Sequence, residues 1–176
     1  MSGHNKWSKI KNRKAVTDAQ KSKIFGKYAR LIAVESKKVG GDINSPSLKA
    51  VIDRAKAENM PSDNIERAVK KGAGGETENL EQVIYETYGP GGCAILIDAL
   101  TDNRNRTAQE IKHALSENGL ELAQPGSASW AFQKTNEGFE PTVPIEISEN
   151  DQEKLEEVCE DLDSLDDVQN IFTNVS

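Results

Sequence analysis

The side chains with an evident chemical use are cationic, and they crowd the first 38 residues. Between Ser2 and Lys38 the chain carries eleven lysines and arginines against two acidic residues, a net charge of +9. The whole chain has a net charge of −7, so the remainder is strongly acidic. A surface so rich in cations attracts a polyanion, and nucleic acid is the default polyanion for such a surface. The sequence therefore predicts nucleic-acid binding near the N-terminal end.

Trp7 lies among these lysines, where its indole could stack on an unpaired base, and His4 could touch a base. The lysines would contact phosphates without reading sequence. Alternatively, the lysines solvate one face of a helix and Trp7 belongs to a core. The residues before Val16 argue against this alternative, because they carry five cations but too few apolar groups to pack as a helix. The candidate nucleic-acid-binding residues here are His4, Lys6, Trp7, Lys9, Lys11, Arg13, Lys14, Lys21, Lys23, Lys27 and Arg30.

Arg104 and Arg106 form a second cluster of positive charge, in an acidic context. Residues 76–176 hold 22 acidic residues and five basic ones. The two arginines stand at the entrance to a predicted helix, and the N–H groups of a helix N-terminus favour an anion. This pair is therefore a further candidate phosphate contact. The alternative is that two arginines in a loop serve solubility alone.

The spacing of the remaining reactive side chains favours neither catalysis nor metal binding. The two cysteines and the two histidines lack the spacing of a zinc motif, and no nucleophile stands beside a base and an orienting group. Asp98 and Asp102 would suit magnesium, but solvation at a strand end is the simpler interpretation. We therefore expect a protein that is not an enzyme and that uses no metal, cofactor or small-molecule substrate.

Apolar spacing predicts three helices in the N-terminal domain, residues 1–75. A basic arm reaches about Val16, and the first helix then runs from about Asp18 to Val39. Ser45–Pro46 starts the second helix, and Gly72 is predicted to cap the third. Three short amphipathic helices predict a small bundle. The predicted inner faces are Ile24, Phe25, Tyr28, Leu31 and Ile32; Leu48, Val51, Ile52 and Ala55; and Ile65, Ala68 and Val69.

Residues 76–176 predict an acidic α+β domain that begins after a glycine-rich break. The predicted strands are 82–88, 93–100, 120–123, 127–132, 142–147 and 168–175; the predicted helices run from about Ala108 to Asn118 behind a Thr107–Glu110 capping box, and onward from Ser148. The Gly89–Gly92 stretch lies between two strands and lacks the Gly-Lys-Ser/Thr of a phosphate loop, which predicts a hairpin turn. The predicted fold is a three-helix domain followed by a ferredoxin-like α/β sandwich with an antiparallel sheet.

Several long segments carry a family resemblance that covers Met1 to about Gln133. They read SGHNKWSKIKNRK, KIFGKYARLIAVESKKVGGD, NMPSDNIERAVKKG, YETYGPGGCAILIDALTDNRNRTAQEI and PGSASWAF. In these segments the chain resembles the YebC/PmpR family of probable transcriptional regulators, which is related to a mitochondrial translational activator of cytochrome oxidase. Family members carry a third α/β unit, whereas here Gln133–Glu140 bridges directly, so that the insert is missing near residues 133–141.

The resemblance implies a regulator of gene expression that binds DNA through its basic N-terminal domain. The alternative is a translation factor bound to ribosomal RNA on the ribosome, since the sequence contains no recognisable helix-turn-helix for reading bases. No apolar run reaches the ~20 residues that span a bilayer, and no apolar stretch follows the first lysines as it does in a secretory signal. The cytoplasm is the expected location, and a mitochondrial location stays open.

Overall fold

The protein is described by a computed structural model that covers residues 17–75, 79–136 and 138–176. These residues form two compact units, one reaching to Glu81 and the other beginning at Gln82. The first unit is helical, and the second combines helices with a sheet. The α+β class predicted from the sequence is confirmed.

The helical unit contains three helices: α1 (Asp18–Lys38), α2 (Pro46–Ala57) and α3 (Ser62–Ala73). A capping box starts α1, because Thr17 Oγ1 accepts from the Gln20 N–H at 3.2 Å and Gln20 Oε1 accepts from the Thr17 N–H at 2.8 Å. The predicted inner face of α2 is confirmed in the core, as are Ile65 and Ala68 of α3, whereas Val69 and most of the predicted stripe on α1 are only partly buried. The core residues are Ile32, Leu48, Val51, Ile52, Ala55, Met60, Ile65 and Ala68.

Helices α1 and α3 approach each other closely at Gly72. A Cβ at this position would lie 2.2 Å from the Ala33 carbonyl oxygen and 2.7 Å from Ser36 Cβ. The buried Ser36 hydroxyl donates to the Val69 carbonyl oxygen at 2.7 Å, which joins the two helices at the same level. The prediction that Gly72 caps α3 was wrong: Gly72 is buried within the helix, and Gly74 is the C-cap.

The second unit is built on a four-stranded sheet in the order β3-β1-β2-β6. Its strands and helices are β1 (Glu81–Tyr88), β2 (Ala94–Thr101), α4 (Arg104–Glu117), β3 (Leu122–Ala123), β4 (Phe132–Thr135), β5 (Gly138–Pro141), α5 (Glu149–Asp163) and β6 (Val168–Thr173). Strand β1 pairs antiparallel with β3, and β2 with β6. Adjacent strands β1 and β2 are joined through the short turn Pro90–Gly92, as expected for a hairpin.

Both faces of this sheet are covered. Helices α4 and α5 cover one face, where Ile95, Ile97, Ile111, Leu115 and Leu162 are buried together. On the other face a second, two-stranded sheet of β4 and β5 packs with Leu96 and Phe172 in a smaller cluster. All eight residues of β2 are therefore buried, which explains why the strand is apolar at every position except Asp98 and Thr101.

Three predicted segments of the second unit were wrong. Helix α4 begins at Arg104 and is capped by Asn103, so Thr107 lies within the helix instead of capping it. Residues 127–132 form the turn Ser129–Ala131 before β4 instead of a strand. Residues 142–147 also form no strand, since only Ile145 makes an isolated bridge, to Val175. The predicted strand at residues 120–123 is reduced to two residues.

Candidate nucleic-acid interface

Helix α1 places four of the candidate cations along one element. Lys21 and Lys23 are exposed, whereas Lys27 and Arg30 are half-buried. Lys21 lies 3.9 Å from Asp18, an exposed pair one turn apart that carries little energy. The capping box at Thr17 fixes where this helix starts, and it therefore fixes the faces on which these cations lie.

A groove of about 620 Å³ lies between α1 and α3. Small side chains line it, Ala29 and Ala33 from α1 and Ala68 from α3, so that the groove reaches down between the two helices. Its lining residues are Ser22, Phe25, Gly26, Ala29, Arg30, Ala33, Met60, Asn64, Arg67, Ala68, Lys71 and Leu80. Their spacing of three and four along each helix puts them on one face of each.

The charges in this groove are all positive. Arg30 enters from α1, and Arg67 and Lys71 enter from α3, while the described lining contains no carboxylate. Phe25 and Met60 add apolar surface between the cations. Guanidinium and ammonium groups bind phosphate, and an aromatic ring offers a face to a base or sugar. This arrangement suits an unpaired or distorted nucleic-acid strand.

A second depression on the helical unit gives a useful contrast. It lies between α2 and α3 and has a volume of about 400 Å³. Three lysines line it, but Asp53 and Glu66 lie among them. Mixed charge of this kind attracts a polyanion weakly, so the groove between α1 and α3 is the better candidate on the helical unit.

Arg106 is held within the second unit by acidic partners. Its Nη2 lies 2.6 Å from Asp102 Oδ1 and 2.9 Å from Asp167 Oδ2, and Nε lies 4.0 Å from Glu110 Oε1. The hydrogen bonds to Asp167 and Asp102 raise the pKa of the guanidinium above its already high ordinary value. The charge of Arg106 is thus compensated within the chain, and its contacts with Asp102 and Asp167 anchor α4 to the loop before β6.

Arg104 lies two residues earlier, at the first position of α4. Its side chain is exposed, and its carbonyl oxygen accepts from the Tyr85 hydroxyl at 3.1 Å. The Asn103 side chain already accepts from the Arg106 N–H at 3.1 Å, so one N–H group of the helix N-terminus is occupied. The predicted phosphate contact at this helix start therefore has fewer donors than the sequence suggested.

The two cysteines lie in the core of the second unit. Burial raises the pKa of the Cys93 thiol to about 11 and raises that of Cys159 well above its ordinary value. Thiols held in this state react poorly. Within the described ranges, no three His, Cys, Asp or Glu side chains gather as a metal site, and no helix is long and apolar enough to cross a membrane.

Protein-family models match most of this chain. A model of the TACO1/YebC protein N-terminal domain matches residues 5–75, and a model of the TACO1/YebC second and third domain matches residues 80–137. The chain belongs to the TACO1/YebC family.

Relatives named probable transcriptional regulatory protein align closely. The one from Thermotoga maritima is 51% identical over 90% of this chain and 60% of its own length. The Finegoldia magna relative is 54% identical over 76% of this chain and 56% of its own. The Kosmotoga olearia relative is 47% identical over 98% of this chain and 70% of its own. The chain thus spans a little over half of the length of the first two.

A solved structure supports the fold of this TACO1/YebC chain. The crystal structure of a conserved hypothetical protein from Aquifex aeolicus superposes with a TM-score of 0.81 at 31% identity, covering 95% of each chain. The family model for the N-terminal domain covers all the lining residues of the α1–α3 groove except Leu80, and every candidate lysine and arginine before Arg104.

The structure adds two groove cations that the sequence reasoning did not select. Arg67 and Lys71 are four residues apart on α3, off its apolar face, and that spacing places them side by side. Seven earlier candidates lie outside the described residues: His4, Lys6, Trp7, Lys9, Lys11, Arg13 and Lys14.

Proposed function

We propose that this chain is a non-enzymatic regulator of gene expression that binds nucleic acid, DNA in the first instance, through its basic N-terminal domain. The observation that carries the proposal is the α1–α3 groove, with Arg30, Arg67 and Lys71 on its walls and no carboxylate in its described lining. The names of the relatives support a role in transcription. The buried, reduced cysteines fit the cytoplasm as the place of action.

In this proposal the lysines of the N-terminal stretch attract the phosphate chain, and the groove holds part of it. Lys21, Lys23 and Lys27 continue the positive surface along α1 from the groove. Phosphate contacts give affinity without sequence preference. Phe25, in the groove, offers the aromatic surface on which a splayed base could stack.

A matched pair of charge reversals tests the groove. The first variant carries Arg67→Glu and Lys71→Glu; the second carries Lys49→Glu and Lys56→Glu, from the mixed-charge depression. Both change the net charge by the same amount. We expect the first to weaken binding of a labelled single strand by at least about tenfold and to reduce the salt slope by about 2. We expect the second to bind nearly as the parent does.

Fluorescence anisotropy over a range of salt concentrations gives both quantities. Equal losses in the two variants would mean that only net charge matters, and the groove would then have no special part. Undiminished binding in the first variant would remove the groove from the proposal altogether.

The alternative polyanion is ribosomal RNA, and the same groove would suit it, because phosphate contacts do not distinguish the two. Crosslinking the full chain in cells and sequencing the attached nucleic acid separates them. Recovery of promoter DNA supports the transcriptional role. Recovery of ribosomal RNA, together with co-sedimentation with ribosomes, would replace it with a role in translation.

A further inference from the structure

An exposed apolar patch lies on the second unit. Four large hydrophobic side chains are exposed in the described part of the chain, and three of them surround the turn Ser129–Ala131. Trp130 is 58% exposed, Val143 41% and Tyr88 38%. The Val143 N–H donates to the Ala131 carbonyl oxygen at 3.4 Å, and Trp130 Nε1 donates to the Tyr88 hydroxyl at 2.8 Å. The Trp130 and Tyr88 side chains therefore form one surface, and the Val143 backbone adjoins the turn that carries Trp130.

The polar groups of the two rings are satisfied inside the protein. The Trp130 indole N–H is used by Tyr88, and the Tyr88 hydroxyl in turn donates to the Ser127 carbonyl oxygen. The faces of the two rings therefore remain available for contact with a partner. A partner recognised through ring faces presents either a flat cation or another flat aromatic group.

The loop that carries Trp130 is held from beneath by Glu86. This buried carboxylate accepts from the N–H groups of Gly126 at 2.5 Å, Ala128 at 3.0 Å and Ser129 at 2.7 Å. A ring fixed in this way loses little freedom when a partner binds, which favours affinity.

The charge beside the patch is negative. The β1–β3 register pairs Glu86 with Ala123 and Thr87 with Leu122, so Glu121, the residue before β3, lies beside the end of β1 that carries Tyr88. The Thr87 hydroxyl donates to the Glu121 carbonyl oxygen at 2.7 Å, which confirms the adjacency. The next cation along the chain, Lys134, interacts with the buried Asp98. Residues 76–176 carry 22 acidic against five basic residues, so this unit repels phosphate.

We propose that Trp130, Tyr88 and Glu121 bind an arginine side chain presented by a basic partner protein. The guanidinium lies on the indole face, where the ring quadrupole and planar stacking both favour it. The Glu121 carboxylate supplies the countercharge. Val143 packs against the methylene stem of the arginine. The site shares no residue with the proposed nucleic-acid groove, and binding there does not require that groove.

Trp130 fluorescence provides a direct probe. The chain has two tryptophans, so a Trp7→Phe background leaves Trp130 as the single indole. The full chain is titrated with a short peptide alternating arginine and glycine, with the matching lysine peptide, and with single-stranded oligothymidine. We expect the arginine peptide to change Trp130 emission and to bind several-fold more tightly than the lysine peptide, with oligothymidine leaving Trp130 emission unchanged.

Variants measured by calorimetry then assign the contacts. Trp130→Ala should weaken arginine-peptide binding by about tenfold, as expected for a desolvated cation–π contact. Trp130→Phe keeps a ring and should lose less, which separates recognition from folding if the alanine variant is unstable. Glu121→Gln should weaken binding several-fold, whereas Glu157→Gln, on α5 over the opposite face of the sheet, should not.

Three results would overturn the proposal. Equal affinity for the two peptides would indicate general attraction to an acidic unit. Parent-like binding in both ring variants would remove Trp130 from the contact. A change in Trp130 emission with oligothymidine in preference to the arginine peptide would make the patch a base-stacking surface instead.

Discussion

At the scale of single residues, Glu86 and Asp98 show how two buried carboxylates of one sheet acquire opposite pKa shifts. Burial by itself raises the pKa of Glu86, but hydrogen bonds from the Gly126, Ala128 and Ser129 N–H groups outweigh it, and the pKa lies below its ordinary value. For Asp98, burial dominates over hydrogen bonds from Gln82 and Asn170 and attraction to Lys134, and the pKa is raised. The direction of each pKa shift follows from the balance between burial, which prevails for Asp98, and the hydrogen bonds that each carboxylate accepts, which prevail for Glu86.

Glu86→Gln should destabilise the second unit by roughly 1–3 kcal/mol at neutral pH, in keeping with the loss of hydrogen bonds to a charged acceptor. The ionised carboxylate uses Oε2 for Gly126 and Oε1 for Ala128 and Ser129. An amide keeps one of these oxygens and turns an N–H donor toward another donor. Because the folded pKa is depressed, the stabilisation exists above the ordinary glutamate pKa and is lost as the pH falls through the folded value. The difference in the free energy of unfolding between the parent and Glu86→Gln should therefore become smaller at acidic pH.

Urea unfolding followed by Trp130 emission, in the Trp7→Phe background, reports on the loop that Glu86 holds. Asp98→Asn is the matched control, since its oxygen still accepts from Gln82 Nε2, a contact of 2.9 Å. The raised folded pKa of Asp98 means that stability falls as the pH rises from the ordinary aspartate pKa through the folded one. The free energy of unfolding of Asp98→Asn should therefore rise relative to that of the parent as the pH approaches neutrality. Parallel pH profiles for the two variants would contradict the assignment of opposite shifts.

At the scale of elements, the sequence predicted best where one period dominates. Helix α1 was predicted to start at Asp18, and α2 at Pro46, because apolar spacing and start signals agree there. Prediction from the sequence failed where a residue distant in the chain determines the local structure. Residues 127–132 are apolar enough for a strand, but Glu86 binds their backbone N–H groups and holds a turn.

The start of α4 was predicted wrongly and the α1–α3 groove was not predicted, for related reasons. Thr107 and Glu110 have capping-box spacing, yet the Thr107 hydroxyl is engaged by Thr101 and Asp167 at 2.7 Å each. Asp167 lies far along the chain, and local spacing does not reveal it. The groove likewise depends on two helices meeting at Gly72, so that only Arg30 of its three cations was selected from sequence.

Gly72→Ala should destabilise the helical unit by roughly 1–3 kcal/mol, the usual cost of overpacking a tight contact. The added methyl would meet the backbone oxygen of Ala33, which cannot move without shifting α1. Gly26→Ala is the control within α1, where a Cβ meets nothing within 4 Å. It should stabilise the helix by up to about 1 kcal/mol, because alanine is the better helix former.

Thermal unfolding followed by far-UV circular dichroism compares the two glycine variants with the parent. The groove makes a second readout possible, since forcing α1 and α3 apart should also weaken nucleic-acid binding. A Gly72→Ala protein as stable as the parent would show that the helices do not meet as closely as described.

At the scale of the whole molecule, charge is divided along the sequence: residues 1–75 carry a net charge of +10 and residues 76–176 a net charge of −17. Opposite charge on one chain suits the two proposed partners, a polyanion for the first half and a basic protein for the second. The acidic half also lowers the local concentration of nucleic acid around the protein. Helix α5, with exposed Glu153 and Glu157, contributes to this repulsion without belonging to either proposed site.

Changing Glu153→Lys and Glu157→Lys together should therefore tighten nucleic-acid binding at low salt by several-fold, through the summed field alone. The gain should vanish as salt rises, because the Debye length falls from about 30 Å at 0.01 M to about 3 Å at 1 M. Anisotropy titrations of the parent and this variant at both extremes make the comparison, and circular dichroism checks that α5 is retained. A gain of equal size at 1 M salt would contradict this explanation, because a field that acts across solvent is screened at that Debye length.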